Sequence, residues 1–362
     1  MNNTIFPTLL LSKIKRLFSF NNNLKEVNTF SKINFYAINN KKMKAAIRQR
    51  YCLPSQIKIE NIGEPIPTDN EVLIKIHNTT VNRTDCANLT AKPFIMRFVL
   101  GFFKPNKTIL GTDFSGEIIA KGKNVKAYNL GDKVFGFNDT GSESQTEYTT
   151  TTVDNVFPIP ANIDHKQAAA GLEGAHYAYS FIHKVTIKSG QSVLINGAPG
   201  GIGSALIQFV KQYDVKITAT CDTKNIKLIQ SLGANKVYDY TKEDFTDDID
   251  KYDFIFDAVG KSTFGKCKPL LKDKGIYISS ELGPYSQNIF LPLLTSFASK
   301  KVIFPIPYNK HKTIPYITNL LDTGKFKPVI DREYALEDIS KAYEYVISGR
   351  KTGNVIINVL EQ

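Results

Sequence analysis

Asn196-Gly-Ala-Pro-Gly-Gly-Ile-Gly-Ser204 decides how the rest of this chain is read. A glycine cluster alone says little, but this one has the surroundings that a dinucleotide-binding turn requires. Val193-Leu-Ile-Asn196 enters it as a short apolar strand. After it, Ile202, Ala205, Leu206, Phe209, Val210 and Tyr213 recur at helical spacing on one face. Lys216-Ile-Thr-Ala-Thr220 follows as a second strand. In this frame Gly200 turns the chain tightly, Gly201 lets the backbone approach a pyrophosphate, and Gly203 permits close helix–strand packing. Ala198, Pro199 and Ile202 complete the loop, and the helix N-terminus offers free N–H groups and a positive dipole end to an anion.

Outward from the loop, strand–helix alternation runs over residues 161–305, with further strands at 236–240, Phe254-Ile-Phe-Asp257 and Gly275-Ile-Tyr-Ile-Ser279. Such alternation predicts βαβ units and a parallel sheet covered on both faces. Residues 43–160 are β-rich: Glu71-Val-Leu-Ile-Lys-Ile76, a run from Gly111 to Ala120, and Asp132-Lys-Val-Phe-Gly136 read as strands between turn residues. The tail from residue 306 offers two helices, at 314–323 and 336–347, and a last strand at 354–359. It is read as returning to the β-rich domain, which becomes discontinuous, 43–160 plus 306–362.

At 362 residues the chain has room for two domains, and its 42% apolar and 22% charged residues are those of a globular protein. No apolar run reaches the roughly 18–20 residues that cross a bilayer. The cysteines, Cys52, Cys86, Cys221 and Cys267, form no C-x-x-C pair, which argues against a structural zinc site and for a reducing, cytoplasmic setting. The net charge of +12 is not a nucleic-acid signal, because half of it comes from residues 1–42 and the rest is dispersed. That leading segment, Asn-rich with Glu26 its one acid, reads as an extension outside the fold, disordered or added by an over-extended start. A basic organellar presequence and a functional arm are the alternatives. The fold is expected to begin at Met43.

The glycine loop, together with Gly111-Thr-Asp-Phe-Ser-Gly-Glu-Ile118, Asn129-Leu-Gly-Asp-Lys-Val-Phe-Gly136, Phe256-Asp-Ala-Val-Gly260 and Leu336-Glu-Asp-Ile-Ser-Lys-Ala-Tyr343, resembles the medium-chain dehydrogenase/reductase superfamily. The resemblance covers about residues 43–360 and points to its zinc-independent quinone oxidoreductase and enone reductase branch. It implies an α/β fold of a GroES-like β-rich domain and a doubly wound Rossmann domain, with the active cleft between them. It also implies a homodimer. Zinc members of the superfamily carry Cys-x-x-Asp where this chain has Asn82-Arg-Thr-Asp85, and Gly-His-Glu where it has Gly111-Thr112-Asp113. Asn and Thr are poor zinc ligands. Glu173 and His176 are two candidate ligands without a third, so no metal is expected.

Without a Lewis acid an alcohol is hard to activate. A conjugated carbonyl or a quinone is an easier hydride acceptor, because the charge goes to an oxygen that hydrogen-bond donors can hold. The reaction expected is therefore reduction of a small electrophile, an enone or a quinone, by NAD(P)H. A zinc-free alcohol or aldehyde reductase, and a cofactor-binding sensor or structural protein with little catalysis, are the other readings. The resemblance places Asn82 beside the nicotinamide and Asp85, His176 and Tyr177 near the cleft, with no general acid assigned. The residues 91–107, rich in Phe, Met and Leu, are read as lining or covering the substrate pocket or, equally, as buried packing. At the other end of the cofactor, Cys221, Asp222, Lys224, Tyr240 and Arg350 are candidates near the adenosine ribose, with Val259 and Gly260 also at the cofactor. Asp222 opposes a 2′-phosphate whereas Lys224, Tyr240 and Arg350 favour one, so NADPH is expected over NADH.

Overall fold

The computed structural model describes residues 41–360. The reading of residues 1–42 thus falls, except for its last two, outside the described residues. Lys42 already opens the first strand, β1 (Lys42–Ile47), one residue ahead of the expected start. This strand pairs antiparallel with β2 (Lys58–Gly63).

The β-rich part continues with β3 (Glu71–Val81), β4 (Asp113–Lys121), β5 (Lys133–Phe137), β6 (Tyr148–Thr152) and β7 (Phe157–Pro158). Period-two spacing in β3 puts Val72, Ile74 and Ile76 on one face, and all three are fully buried. Around β3 a sheet forms in the order β14-β15-β3-β4-β5-β7, with β6 on the free part of β3's edge. Its first two members, β14 (Ile330–Ala335) and β15 (Asn354–Asn358), come from the far end of the sequence, and β15 lies antiparallel to β3. The helix Ile339–Ile347 between them buries Ile339, Ala342, Tyr343 and Val346 against this sheet.

The parallel sheet consists of β8 (Ser192–Asn196), β9 (Lys216–Cys221), β10 (Lys236–Asp239), β11 (Tyr252–Asp257), β12 (Leu271–Ser279) and β13 (Lys301–Ile303). Its order is β10-β9-β8-β11-β12-β13, every neighbouring pair parallel. The order reverses between β8 and β11, and in such sheets ligands collect at the carboxyl ends of the strands beside that reversal. This is the doubly wound Rossmann arrangement, set beside a GroES-like domain.

The helix Gly201–Val210 is covered all round rather than on one stripe: Ile207 and Gln208 are buried along with Ala205, Leu206, Phe209 and Val210. The reason is the helix Glu173–Ile182, which packs on its other side. Gly174 allows the close approach, since a Cβ there would stand 2.6 Å from the carbonyl carbon of Gly201. The helix Lys310–Asp322 departs from the expected return of the tail at residue 306. Ile314, Ile317, Leu320 and Leu321 join the core of the parallel-sheet domain, so the chain re-enters the β-rich sheet only at β14. Among the described residues no helix is long and apolar enough to cross a membrane.

Candidate active site

A cleft of about 940 Å³ opens at the carboxyl ends of β8, β9 and β11. Pro199, Gly200, Gly201 and Ile202 form its floor. The turn itself is made three residues earlier than the spacing suggests. Gly197 carries the positive φ, 82°, whereas Gly200 has an ordinary φ of −66°. Side-chain spacing cannot show which glycine of a cluster takes the left-handed conformation. Gly200 is open to the cleft, the nearest atom to a Cβ there being Gly197 O at 3.5 Å. Gly203 faces inward, where a Cβ would stand 2.2 Å from Gly197 O, and Ala198 is fully buried beside it.

Three polar residues at strand ends hold the loop in shape. Thr220 donates its hydroxyl to Asn196 Oδ1 (2.7 Å) and accepts from the Gly197 N–H (3.1 Å). Asn196 Nδ2 donates to Asp257 Oδ1 (3.0 Å), and the same carboxylate accepts from the N–H groups of Val259 (3.2 Å) and Gly260 (2.9 Å). Sequence reasoning passed over Asn196, Thr220 and Asp257. Their signal is a polar residue closing an otherwise apolar strand. Val259 lines the cleft, while Gly260 turns behind it with φ 66°.

At the outer end Asp222, Lys224, Tyr240 and Arg350 line the cleft together. Cys221 does not reach it: the side chain is fully buried, and desolvation pushes its thiol up to about 12. Asp222 is partly neutralised, with Lys224 Nζ 3.7 Å from its Oδ2 and Asn225 Nδ2 donating to Oδ1.

At the inner end stand Asn82, Arg83, Glu173 and Lys351. Asn82 precedes the helix Arg83–Thr90; its Nδ2 donates to Thr80 Oγ1 (2.7 Å), and its backbone N–H to Asp85 Oδ2 (2.8 Å). Asp85 therefore organises this turn and does not line the cleft; burial, with Glu173 and Asp113 nearby, holds its carboxyl well above the usual range. Lys351, next to Arg350 in the sequence, donates instead at this inner end, to Gly353 O (2.6 Å) and to Asn82 Oδ1 (3.3 Å). Glu173 accepts from Thr84 Oγ1 (2.8 Å) and Thr112 Oγ1 (3.3 Å).

His176 and Tyr177 are not brought to the cleft. His176 Nδ1 meets Thr313 Oγ1 at 2.7 Å on the inner side of its helix, and the Tyr177 hydroxyl donates to Asp139 Oδ1 at 2.8 Å. The residues 91–107 do not line it either. Phe94, Phe98, Phe102 and Phe103 are exposed and stack edge-on among themselves, and Arg97 lies over the rings of Tyr51 and Phe94.

A nicotinamide dinucleotide fits this cleft: the loop backbone is open at Gly200, a helix N-terminus faces the floor, and cations flank the outer end. At the two positions where zinc members carry ligands, the Asn82 oxygen accepts from a lysine ammonium and the Thr112 hydroxyl donates to a carboxylate. Among the described residues no group of three His, Cys, Asp or Glu is disposed to hold a metal.

Residues 68–184 match the model of the alcohol dehydrogenase GroES-like domain, and residues 232–357 that of the zinc-binding dehydrogenase. The chain is 32% identical to 2-methylene-furan-3-one reductase of Solanum lycopersicum, over 87% of this chain and 79% of that one. It is 30% identical to the NADPH-dependent alkenal/one oxidoreductase, chloroplastic, of Arabidopsis thaliana, over 88% and 80%. The structure of the quinone oxidoreductase from Coxiella burnetii superposes with a TM-score of 0.79 at 25% identity, covering 88% of this chain and all of that one.

Proposed function

The chain belongs to the medium-chain dehydrogenase/reductase superfamily, in its quinone oxidoreductase and enone reductase branch, and from that premise we propose that it reduces quinones or α,β-unsaturated carbonyl compounds with NADPH and without zinc. The observation that carries this reading is the pairing, across one cleft, of an open glycine loop with an Asn82–Lys351 contact where a metal ligand would otherwise stand. When bound, the reduced nicotinamide supplies a hydride. The chain's own residues hold the dinucleotide: Gly200, Gly201 and Ile202 at the pyrophosphate, Asn82 and Lys351 at the nicotinamide end. Thr220, Asn196 and Asp257 keep the loop in register.

NADPH is favoured over NADH because Lys224, Tyr240 and Arg350 flank the ribose end, while the opposing acid Asp222 is already engaged by Lys224 and Asn225. A second copy of the chain suits the far edge of the parallel sheet. There the helix Gln287–Leu294 packs on the edge strand β13 and leaves Phe290, Leu293 and Leu294 exposed, with Phe297 just beyond. The four free cysteines fit a reducing compartment, and we place the protein in the cytoplasm.

The test is a panel of enones, quinones and saturated aldehydes, each with NADPH and NADH, before and after exhaustive chelation. Oxidation of NADPH by enones or quinones, unchanged by the chelator, is the expected result. Activity lost on chelation and restored by zinc, or confined to saturated aldehydes, overturns the reading.

A further inference from the structure

One carboxyl group in the cleft has no part in holding the cofactor. Glu173 opens the helix Glu173–Ile182, lines the cleft, and is only 6% exposed. Its hydrogen-bond partners are the two neutral hydroxyls of Thr84 and Thr112. Among the described residues no cation lies within ion-pair distance of it. Thr112 and Asn82 stand where zinc-dependent members carry their histidine and cysteine. The Glu173 carboxyl, accepting from the Thr112 hydroxyl, thus adjoins one of those two positions.

We propose that Glu173 is the acid of this reaction: its O–H hydrogen-bonds to the carbonyl or quinone oxygen of the substrate and delivers the proton there. The inference rests on the function proposed above. For an enone, the substrate gains a hydride at its β-carbon, supplied by the reduced nicotinamide. The C=C electron pair moves to the α-carbon–carbonyl bond and the C=O pair to the oxygen. That oxygen takes the proton as the Glu173 O–H bond breaks, leaving an enol and a carboxylate. Water then returns a proton to the carboxylate, and the enol tautomerises in solvent. The net change is one hydride and one solvent proton per substrate.

Electrostatics agree with this geometry. Burial is the chief cause that pushes the Glu173 carboxyl up to about 8, and the charge of Asp113 adds to it, as does that of Asp139. Thr84 and Lys351 pull the other way, and Asp85 is the remaining acid facing it from the helix Arg83–Thr90. A carboxylic acid kept neutral in a buried site can donate a hydrogen bond to a developing oxyanion, as the protonated aspartate of ketosteroid isomerase does. A donor so placed contributes on the order of 10²–10³ in kcat.

The experiment compares the wild type with Glu173→Gln and Glu173→Asp, using NADPH and one enone, across the neutral and alkaline range. Wild-type kcat should fall as pH rises through about 8, because the working form is protonated. Glu173→Gln should lose roughly 10²-fold in kcat and the alkaline limb, while its NADPH affinity, read from cofactor fluorescence, stays within a few-fold. Glu173→Asp should be slower than the wild type but keep the limb. Wild-type turnover matched by Glu173→Gln, or a wild-type profile flat through that range, overturns the proposal alone. Should Glu173→Gln fail to fold, Glu173→Asp with unchanged kcat overturns it instead. A wild type that reduces no enone or quinone overturns the underlying function, and this proposal with it.

Discussion

Thr84 donates its hydroxyl to Glu173 over 2.8 Å, joining the helix Arg83–Thr90 of the β-rich domain to the helix that packs along the glycine-loop helix. One end of this bond between the walls of the cleft is a buried acid.

Stability should depend on pH through Glu173. Its carboxyl holds a proton up to about 8 when folded, against an ordinary value of 4.5. A folded-state value raised above the unfolded one contributes stability that is complete below the unfolded value and is lost as pH rises to the folded one. Between 4.5 and about 8 the wild type should therefore lose stability, on the order of a few kcal/mol, whereas Glu173→Gln should not. Thermal unfolding of both proteins checks this: the Tm advantage of the variant should grow with pH across that window. A difference in Tm that does not change with pH would show that the group ionises alike in both states.

Two glycines of the fingerprint should respond in opposite ways. A Cβ at Gly203 would stand 2.2 Å from Gly197 O and 2.7 Å from Ala198 Cα, both backbone atoms that cannot step aside. Gly203→Ala should cost roughly 1–3 kcal/mol or more in unfolding free energy. Gly200→Ala should fold normally, its Cβ meeting nothing closer than 3.5 Å. Gly200→Asp should also fold, yet lose NADPH binding, because its carboxylate would face the pyrophosphate. Urea unfolding and cofactor titration of the three variants give the comparison.

Cofactor choice should move with the Asp222–Lys224 pair. Asp222→Ser removes the acid and should raise the ratio of kcat/KM for NADPH over NADH. Lys224→Ala frees that acid and removes a cation, and should lower the ratio by roughly tenfold, the worth of one charge-assisted hydrogen bond. Steady-state kinetics with both cofactors decide it. A Lys224→Ala enzyme with the wild-type ratio would mean that Asp222 reads ribose hydroxyls and that the lysine stays in solvent.

Much of the fold could be read from the residues, because strands and the glycine turn leave local marks. The apolar run Val193–Asn196, the glycines and the helical spacing after them are close in sequence, and they formed one βα unit. The direction of a side chain on a buried helix leaves no such mark. Nine of the ten residues in Glu173–Ile182 are buried, so nothing in the spacing says that Glu173 looks into the cleft and His176 away from it. Arg350 and Lys351 differ by one position, and only the path of the backbone toward β15 places the lysine against Asn82. The helix Lys310–Asp322 carried no sign of which domain it would cover, since an apolar stripe fits either core.

The place of β15 has a bearing on how the protein is made. The strand lies between β14 and β3, and pairs with the half of β3 that β6 leaves free. During synthesis β3 emerges early, but its partner at residues 354–358 leaves the ribosome only after the whole parallel-sheet domain has been translated. Until then the nascent chain carries an apolar strand with an open edge, a template for pairing with other chains. A message cut short near its end would thus yield a Rossmann domain able to collapse on its own core beside a sheet that cannot close. Its product would go to chaperones and proteases rather than persist as a half-active enzyme.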